Sequence, residues 1–189
     1  NTLSYSKKIK DHNFSALVGT SAKEDNSEGL SGFKADVPLT DPDNVYLNMA
    51  TKDSSDVARG GASSYGLFSM FGRVTYDYKS RYAFTGIIRR DGSSNFGPNN
   101  RYGWFPSVGV SWMLTEENFI PKLGPVDFLK LRASWGINGN DRIGYYQYVS
   151  TIDKSRGYIF GSGGQIGASP LYIENADVKW EESEQIDIA

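Results

Sequence analysis

The stretch Phe68–Arg89, FSMFGRVTYDYKSRYAFTGIIR, decides how the rest of the chain is read. Up to Tyr78 its even positions are Phe68, Met70, Gly72, Val74, Tyr76 and Tyr78, and its odd positions are Ser69, Phe71, Arg73, Thr75 and Asp77. One face is apolar and aromatic, the other largely polar. Successive side chains leave a pleated strand on opposite sides, so a period of two marks a strand with one apolar face. Past Lys79 and Ser80 the pattern resumes, with Tyr82, Phe84, Gly86 and Ile88 opposing Arg81, Ala83, Thr85 and Arg89. Two alternating runs so close together predict a hairpin with a tight turn.

The same period recurs on both sides. Val108, Val110, Trp112 and Leu114 alternate with Ser107, Gly109, Ser111 and Met113. Leu129, Leu131, Ala133, Trp135 and Ile137 alternate with Lys130, Arg132, Ser134 and Gly136. Leu3–Lys8 and Asn13–Ser21 form another pair, and Val178–Ala189 gives a last strand. The reading is an all-β chain, an antiparallel up-and-down meander of about seven strands. Between Glu116 and Phe128 a short helical turn is expected, capped by Thr115 and limited by Pro121 and Pro125.

Composition narrows the function. The chain has 189 residues and a formal charge of −2, so no basic field points to nucleic acid. It has no cysteine and one histidine, His12, which leaves no thiolate nucleophile, no cysteine metal site and little material for a histidine-based centre. Mean hydropathy is −0.46, and no apolar run is long enough for a membrane-spanning helix. The first ten residues, NTLSYSKKIK, lack the apolar core of a signal peptide.

The connections sort by length. Lys10-Asp11, Lys79-Ser80 and Thr115–Phe128 are short or moderate, whereas 22–64, 89–107 and 138–177 are long and polar. In a meander, alternate connections share an end, so small turns lie at one end and large loops at the other. Outer-membrane β-barrels show that asymmetry, with strands of about 9–11 residues, an apolar outer face and aromatic girdles. Soluble β-sandwiches and jelly rolls also alternate. Polar faces holding Arg73, Asp77, Arg89, Lys130 and Arg132, as a water-filled lumen tolerates, favour the barrel. On that reading Phe84, Ile88, Val110, Trp112, Leu131 and Trp135 face lipid, and Arg73, Arg89, Ser111 and Arg132 face the other way. Glu182 and Glu184 share parity with Trp180, Ile186 and Ile188, which calls for a bulge or for a strand end above the bilayer.

No stretch carries catalytic chemistry, and no cofactor is called for. TDPDN at Thr40–Asn44 lacks the ligand spacing of a calcium loop. KWEESE has carboxylates but nothing to set them around a cleft, and GSGGQIG at Gly161–Gly167 follows no strand-to-helix pattern. A soluble extracellular carbohydrate-binding or adhesin β-domain is the alternative class.

Five ordered pieces carry a resemblance: FGRVTYDYKSRY, RRDGSSNFG, RYGWFPSVGVSW, LKLRASWGINGN and KWEESEQ. Together they resemble the barrel of SusC/RagA-type TonB-dependent outer-membrane transporters, over 65–140 and 178–189. The resemblance implies an outer-membrane barrel closed by a plug, energised through TonB, partnered by a SusD-type surface lipoprotein, and importing oligosaccharides or peptides. It implies no enzyme. Within it, RRDGSSNFGPNNRYGWFPS at 89–107 is expected to be an extracellular hairpin loop. Arg89 and Arg90 approach the rim on opposite faces, one pairing inside with Asp91, the other snorkelling to the polar interface. Tyr102, Trp104 and Phe105 match a girdle, with Pro106 where the strand starts. Trp104, Tyr102 and Arg89 are the candidates for substrate contact. Residues 1–189 are expected to be part of a barrel domain without plug or TonB box. Seven strands would then form an open curved sheet and no conducting pore.

Overall fold

The computed structural model describes residues 1–35, 43, 46, 57–119, 127–153, 157–161 and 163–189. Its strands are β1 (Thr2–Ile9), β2 (His12–Phe33), β3 (Val57–Tyr78), β4 (Tyr82–Ser93), β5 (Tyr102–Met113), β6 (Lys130–Asn140), β7 (Ile152–Asp153), β8 (Gly157–Phe160), β9 (Gly163–Ile166), β10 (Ser169–Pro170) and β11 (Glu181–Ile188). Seven of them form one sheet in the order β1-β2-β3-β4-β5-β6-β11. Every neighbour pair described in register is antiparallel. The meander expected from the sequence is therefore what the chain forms. β1 and β11 each have one neighbour in that order, so among the described residues the sheet does not close on itself.

Two compact units divide the chain, one of Asn1–Lys23 with Gly66–Ala189, the other of Glu24–Tyr65. The second holds the continuation of β2 and the start of β3, which run 22 residues each. The sequence reading ended that hairpin's strands near Ser21 and Tyr65. It fell short because AKEDNSEGLSGF has no apolar alternation to follow, while ladder pairing needs only backbone groups. Within 138–177, which gave no sequence motif, β7 pairs with β10 and β8 with β9. Gly161, at φ +65°, opens the turn between β8 and β9. A left-handed turn residue accounts for a glycine there without any ligand.

The short connections meet at one end. Lys10, Lys79 and Ser80 carry φ of +53°, +55° and +55°, the left-handed geometry of tight hairpin turns. Lys79 N–H donates to the Asp11 carbonyl at 2.9 Å, and Met113 N–H to the Arg81 carbonyl at 2.7 Å. Leu114 N–H and Thr115 N–H both donate to the Leu129 carbonyl. The expected cap at Thr115 is not formed. Leu114–Glu116 is a 3-10 turn with Thr115 inside it and Met113, which has no side-chain oxygen, at the cap position, so it has no side-chain cap. Pro121, Pro125, Asn44 and most of the TDPDN turn lie outside the described residues.

Register fixes the faces. Tyr76, Phe84, Val110, Ala133 and Ile188 lie side by side across five strands, and so do Tyr78, Tyr82, Trp112 and Leu131. Ile88 and Trp135 share their parity. The neighbouring rows are Thr75, Thr85, Gly109, Ser134 and Asp187, and Asp77, Ala83, Ser111 and Arg132. The apolar and polar sets expected from the period thus occupy opposite faces. β11 pairs residue for residue with β6 from Glu181↔Asn140 to Ile188↔Ala133, so no bulge interrupts it. Instead Glu184 accepts a hydrogen bond from Trp135 Nε1 at 2.6 Å.

The apolar face is bare. Ile88 is 51% exposed, Val110 49% and Leu131 46%, and among the described residues no second layer covers them. The buried hydrophobic cluster among the described residues is Phe96, Phe105 and Trp180, at the long-loop end.

Candidate functional site

Two aromatic belts bracket the bare face. At the short-turn end Tyr78 and Tyr82 stack at 6.4 Å between centroids, and Tyr82 and Trp112 at 6.1 Å. The His12 ring is 4.7 Å from Tyr78. At the other end Arg90 lies over Tyr102, 4.1 Å from the ring centroid, and 5.6 Å from that of Trp104. The ladder runs from Tyr82↔Trp112 to Gly92↔Tyr102. Ten residues at about 3.3 Å each, tilted by about 35–45°, separate the belts by about 23–27 Å in height. That equals the ~25 Å apolar band of outer-membrane barrels.

Below the first belt, Glu117 ties the β5–β6 connection to the sheet. Its carboxylate accepts the Tyr82 hydroxyl and the Trp112 Nε1–H at 3.1 Å, with Arg81 at 3.8 Å. The Tyr82 hydrogen bond, then that of Trp112, then the Arg81 charge hold the Glu117 carboxyl below its ordinary value of 4.5. A depressed carboxyl pKa contributes stability above the unfolded value and loses it as pH falls through the folded one. The connection should therefore stay closed at neutral pH and loosen only below about pH 4.5. Glu117→Gln should show the loosened state at pH 7, read as faster hydrogen exchange at the Leu114 and Glu117 amides.

The polar face carries a second cluster. Arg89 Nε meets Asp91 Oδ2 at 2.7 Å, and its terminal nitrogen donates to Ser69 Oγ at 2.9 Å. Ser69 and Asp91 are buried, and the guanidinium lies 5.9 Å from the Phe71 ring. The expected Arg89–Asp91 pair is thus present. Lower on this face Ser15 meets Thr75 at 2.7 Å, and Asn13 donates to Asp77 at 3.1 Å. These are hydrogen-bonding surfaces with no activated nucleophile.

The loop of 89–107 is shorter than its sequence suggested. β4 continues to Ser93 and β5 starts at Tyr102, which puts Pro106 inside β5 opposite Ile88. Phe105, expected in the belt, is buried instead. It is odd where Tyr102 and Trp104 are even, so it points to the polar face. Its ring meets Trp180 edge-on at 5.2 Å, and Phe96 lies 5.0 Å from Trp180. Trp180 Nε1 donates to the Arg101 carbonyl at 3.2 Å. Trp180, assigned to the last strand from the sequence, precedes β11. Asn95 Nδ2 reaches the Asp141 carbonyl at 2.9 Å, so loop 94–101 is fastened to the 138–177 connection. The sequence reading did not single out Phe96 and placed Trp180 only by its strand parity, since nothing local links residues so far apart.

The three candidates for substrate contact therefore divide. Tyr102 and Trp104 join Arg90 on the apolar face, and Arg89 stands on the polar face.

A meander with one bare apolar face, two belts about a bilayer apart and a polar opposite face is the wall of an outer-membrane β-barrel. The family described as "TonB dependent receptor-like, beta-barrel" matches residues 2–189, and the chain belongs to it. A TonB-dependent receptor of Formosa agariphila is 36% identical over 83% of this chain and 16% of its own length. SusC of Bacteroides thetaiotaomicron is 38% identical over 62% of this chain and 12% of its own. The structure of the RagAB peptide importer in its closed-closed state matches 99% of this chain and 20% of that one, with a TM-score of 0.83 at 25% identity. The chain thus spans a fifth or less of these relatives. It is an outer-membrane β-barrel chain of the SusC/RagA type, and its relatives are receptors and an importer rather than enzymes.

Proposed function

We propose that residues 1–189 form one sector of a plugged transporter barrel that takes up large nutrients, oligosaccharides or peptides, with TonB as energy source and a SusD-type lipoprotein as surface partner. The observation that carries this reading is the unbroken β1-to-β11 ladder with its two belts, matched over 99% of the chain by a peptide importer. An exposed ladder edge in lipid leaves backbone groups unpaired at several kcal/mol each, so the sector requires further strands on both sides. Of the sequence candidates, Arg89 is kept as the substrate-side residue because its face is the one away from lipid. Tyr102 and Trp104 are assigned to the membrane interface.

The test is growth on single polymeric nutrients by cells lacking the gene. Loss of growth on one glycan or protein source is expected, restored by the gene only where TonB is present. Restoration without TonB would reject the energised-uptake reading. Cross-linking from loop 94–101 should capture a surface lipoprotein, and capture of none would remove that partner.

A further inference from the structure

We propose that the apolar face between β1 and β5 is a binding site for one phosphorylated acyl lipid of the outer leaflet, with Arg90 as the phosphate ligand. The argument needs the outer-membrane placement of this wall and does not need the uptake reading.

Arg90 is a cation on a largely apolar face, in the row Met70↔Arg90↔Trp104. It stands eight residues beyond Tyr82. At about 3.3 Å per residue and a tilt of about 35–45°, that is about 19–22 Å above the lower belt, just inside the top of a ~25 Å apolar band. Its Nε is buried and has no hydrogen-bond partner, although a guanidinium offers five donors and one left unmatched is costly. Among the described residues no carboxylate pairs with it, in contrast to Arg89, which faces the other way and holds Asp91. What Arg90 does touch is two aromatic rings, Tyr102 and Trp104, which fix the guanidinium plane without neutralising its charge. A planar, oriented, unneutralised guanidinium at headgroup depth matches the bidentate geometry of a phosphate.

Below Arg90 the surface supplies the rest of an amphipathic ligand's outline. A groove of about 720 Å³ runs from it, lined by Leu3, Val18, Met70, Ile88 and Trp104. This lies within the ~300–1,000 Å³ range of small-molecule sites. Gly72 contributes its floor. A Cβ at Gly72 would meet nothing closer than Ile88 Cγ2 at 3.7 Å, so the glycine leaves a trough and is not forced by crowding. An apolar trough ending at an unpaired cation fits a chain with an anionic head, and fits neither a free anion nor an uncharged lipid as well. The long-loop end is the extracellular side in such barrels, which places the head in the outer leaflet.

The test uses the protein extracted from outer membranes in mild detergent, stripped of lipid, and offered phosphatidylglycerol or diacylglycerol of the same chains, with retained lipid counted by native mass spectrometry. Wild type should retain one phosphatidylglycerol about tenfold better than diacylglycerol, the scale of one charge-assisted contact. Arg90→Gln should reduce retention to the diacylglycerol level, and Arg132→Gln, on the polar face, should leave it unchanged. Gly72→Leu, for which the backbone has room, should reduce retention by filling the trough while Arg90 stays. Compact, heat-resistant migration on gels establishes that each variant is folded. Equal retention of the two lipids by wild type would overturn the proposal whatever the variants do. So would displacement of the lipid by excess inorganic phosphate, which would mean an anion site without an acyl requirement.

Discussion

Val108→Arg should strongly impair membrane insertion, and Gly109→Arg, one residue away, should not. Val108 is on the bare face, paired with Gly86 on one side and Trp135 on the other. It is four residues from Trp112 in the lower belt and six from Tyr102 in the upper, so it lies close to mid-bilayer. An arginine there costs about 2–4 kcal/mol on the lipid face of a barrel, falling to about 0–1 near the interfaces. Converted at about 1.4 kcal/mol per decade, insertion equilibria should drop roughly 30- to 700-fold. Gly109 belongs to the opposite row with Thr85 and Ser134, and a Cβ at that position meets only Ser134 Cβ, at 3.8 Å. An arginine there has space and water. The measurement is urea-dependent folding into phospholipid vesicles for the two variants side by side. Equal losses would mean that both faces are packed, as in a soluble sandwich, and would remove the barrel assignment.

That comparison depends on a pattern legible in the sequence from Phe68 onward. Strand existence, order and facing followed from a period of two because lipid on one side and water on the other impose it residue by residue. Where that constraint ends, so did legibility. Residues 24–33 and 58–65 belong to β2 and β3 but are mostly exposed, so no alternation marked them as strand. β8 and β9 are four residues each, too short to show a period. Thr115 had the residue type of a helix cap, but the turn starts one residue earlier, which puts Met113 at the cap position. The candidate site was legible in half. Arg89 with Asp91 was readable because the partners are two residues apart on one face. Placing Phe105 with Tyr102 and Trp104 followed composition where parity should have decided. The Phe96–Trp180 contact joins residues across two strands and two loops, and no local signal encodes it.

Removing that contact should free the rim loop without dissolving the sheet. Trp180→Ala deletes a buried indole that touches Phe96 at 5.0 Å and Phe105 at 5.2 Å, and it leaves the Arg101 carbonyl without its donor. Large-to-small changes of this kind cost about 3–5 kcal/mol when the cavity cannot collapse. Collapse is blocked here from below, because the Phe105 ring is seated against glycines. A Cβ on Gly139 would lie 2.1 Å from Phe105 Cζ, and one on Gly103 would lie 2.4 Å from it. The ladder between β5 and β6 ends at Ser107↔Gly136, so the ring occupies space where β6 has left β5 for β11. The cost should stay local, since the sheet's rows below Ser107 do not involve these residues. The expected result is rapid protease cleavage within 94–101 in Trp180→Ala, with heat-resistant migration retained, and slower cleavage in Trp180→Phe. Gly139→Ala should reach the same end from the opposite direction, by overpacking worth about 1–3 kcal/mol. Adding Phe105→Leu to Gly139→Ala should then recover part of the loss, because the two changes act on one volume and cannot be additive. If the double variant is cut as fast as the sum of the singles predicts, Phe105 is not the group that holds the loop down.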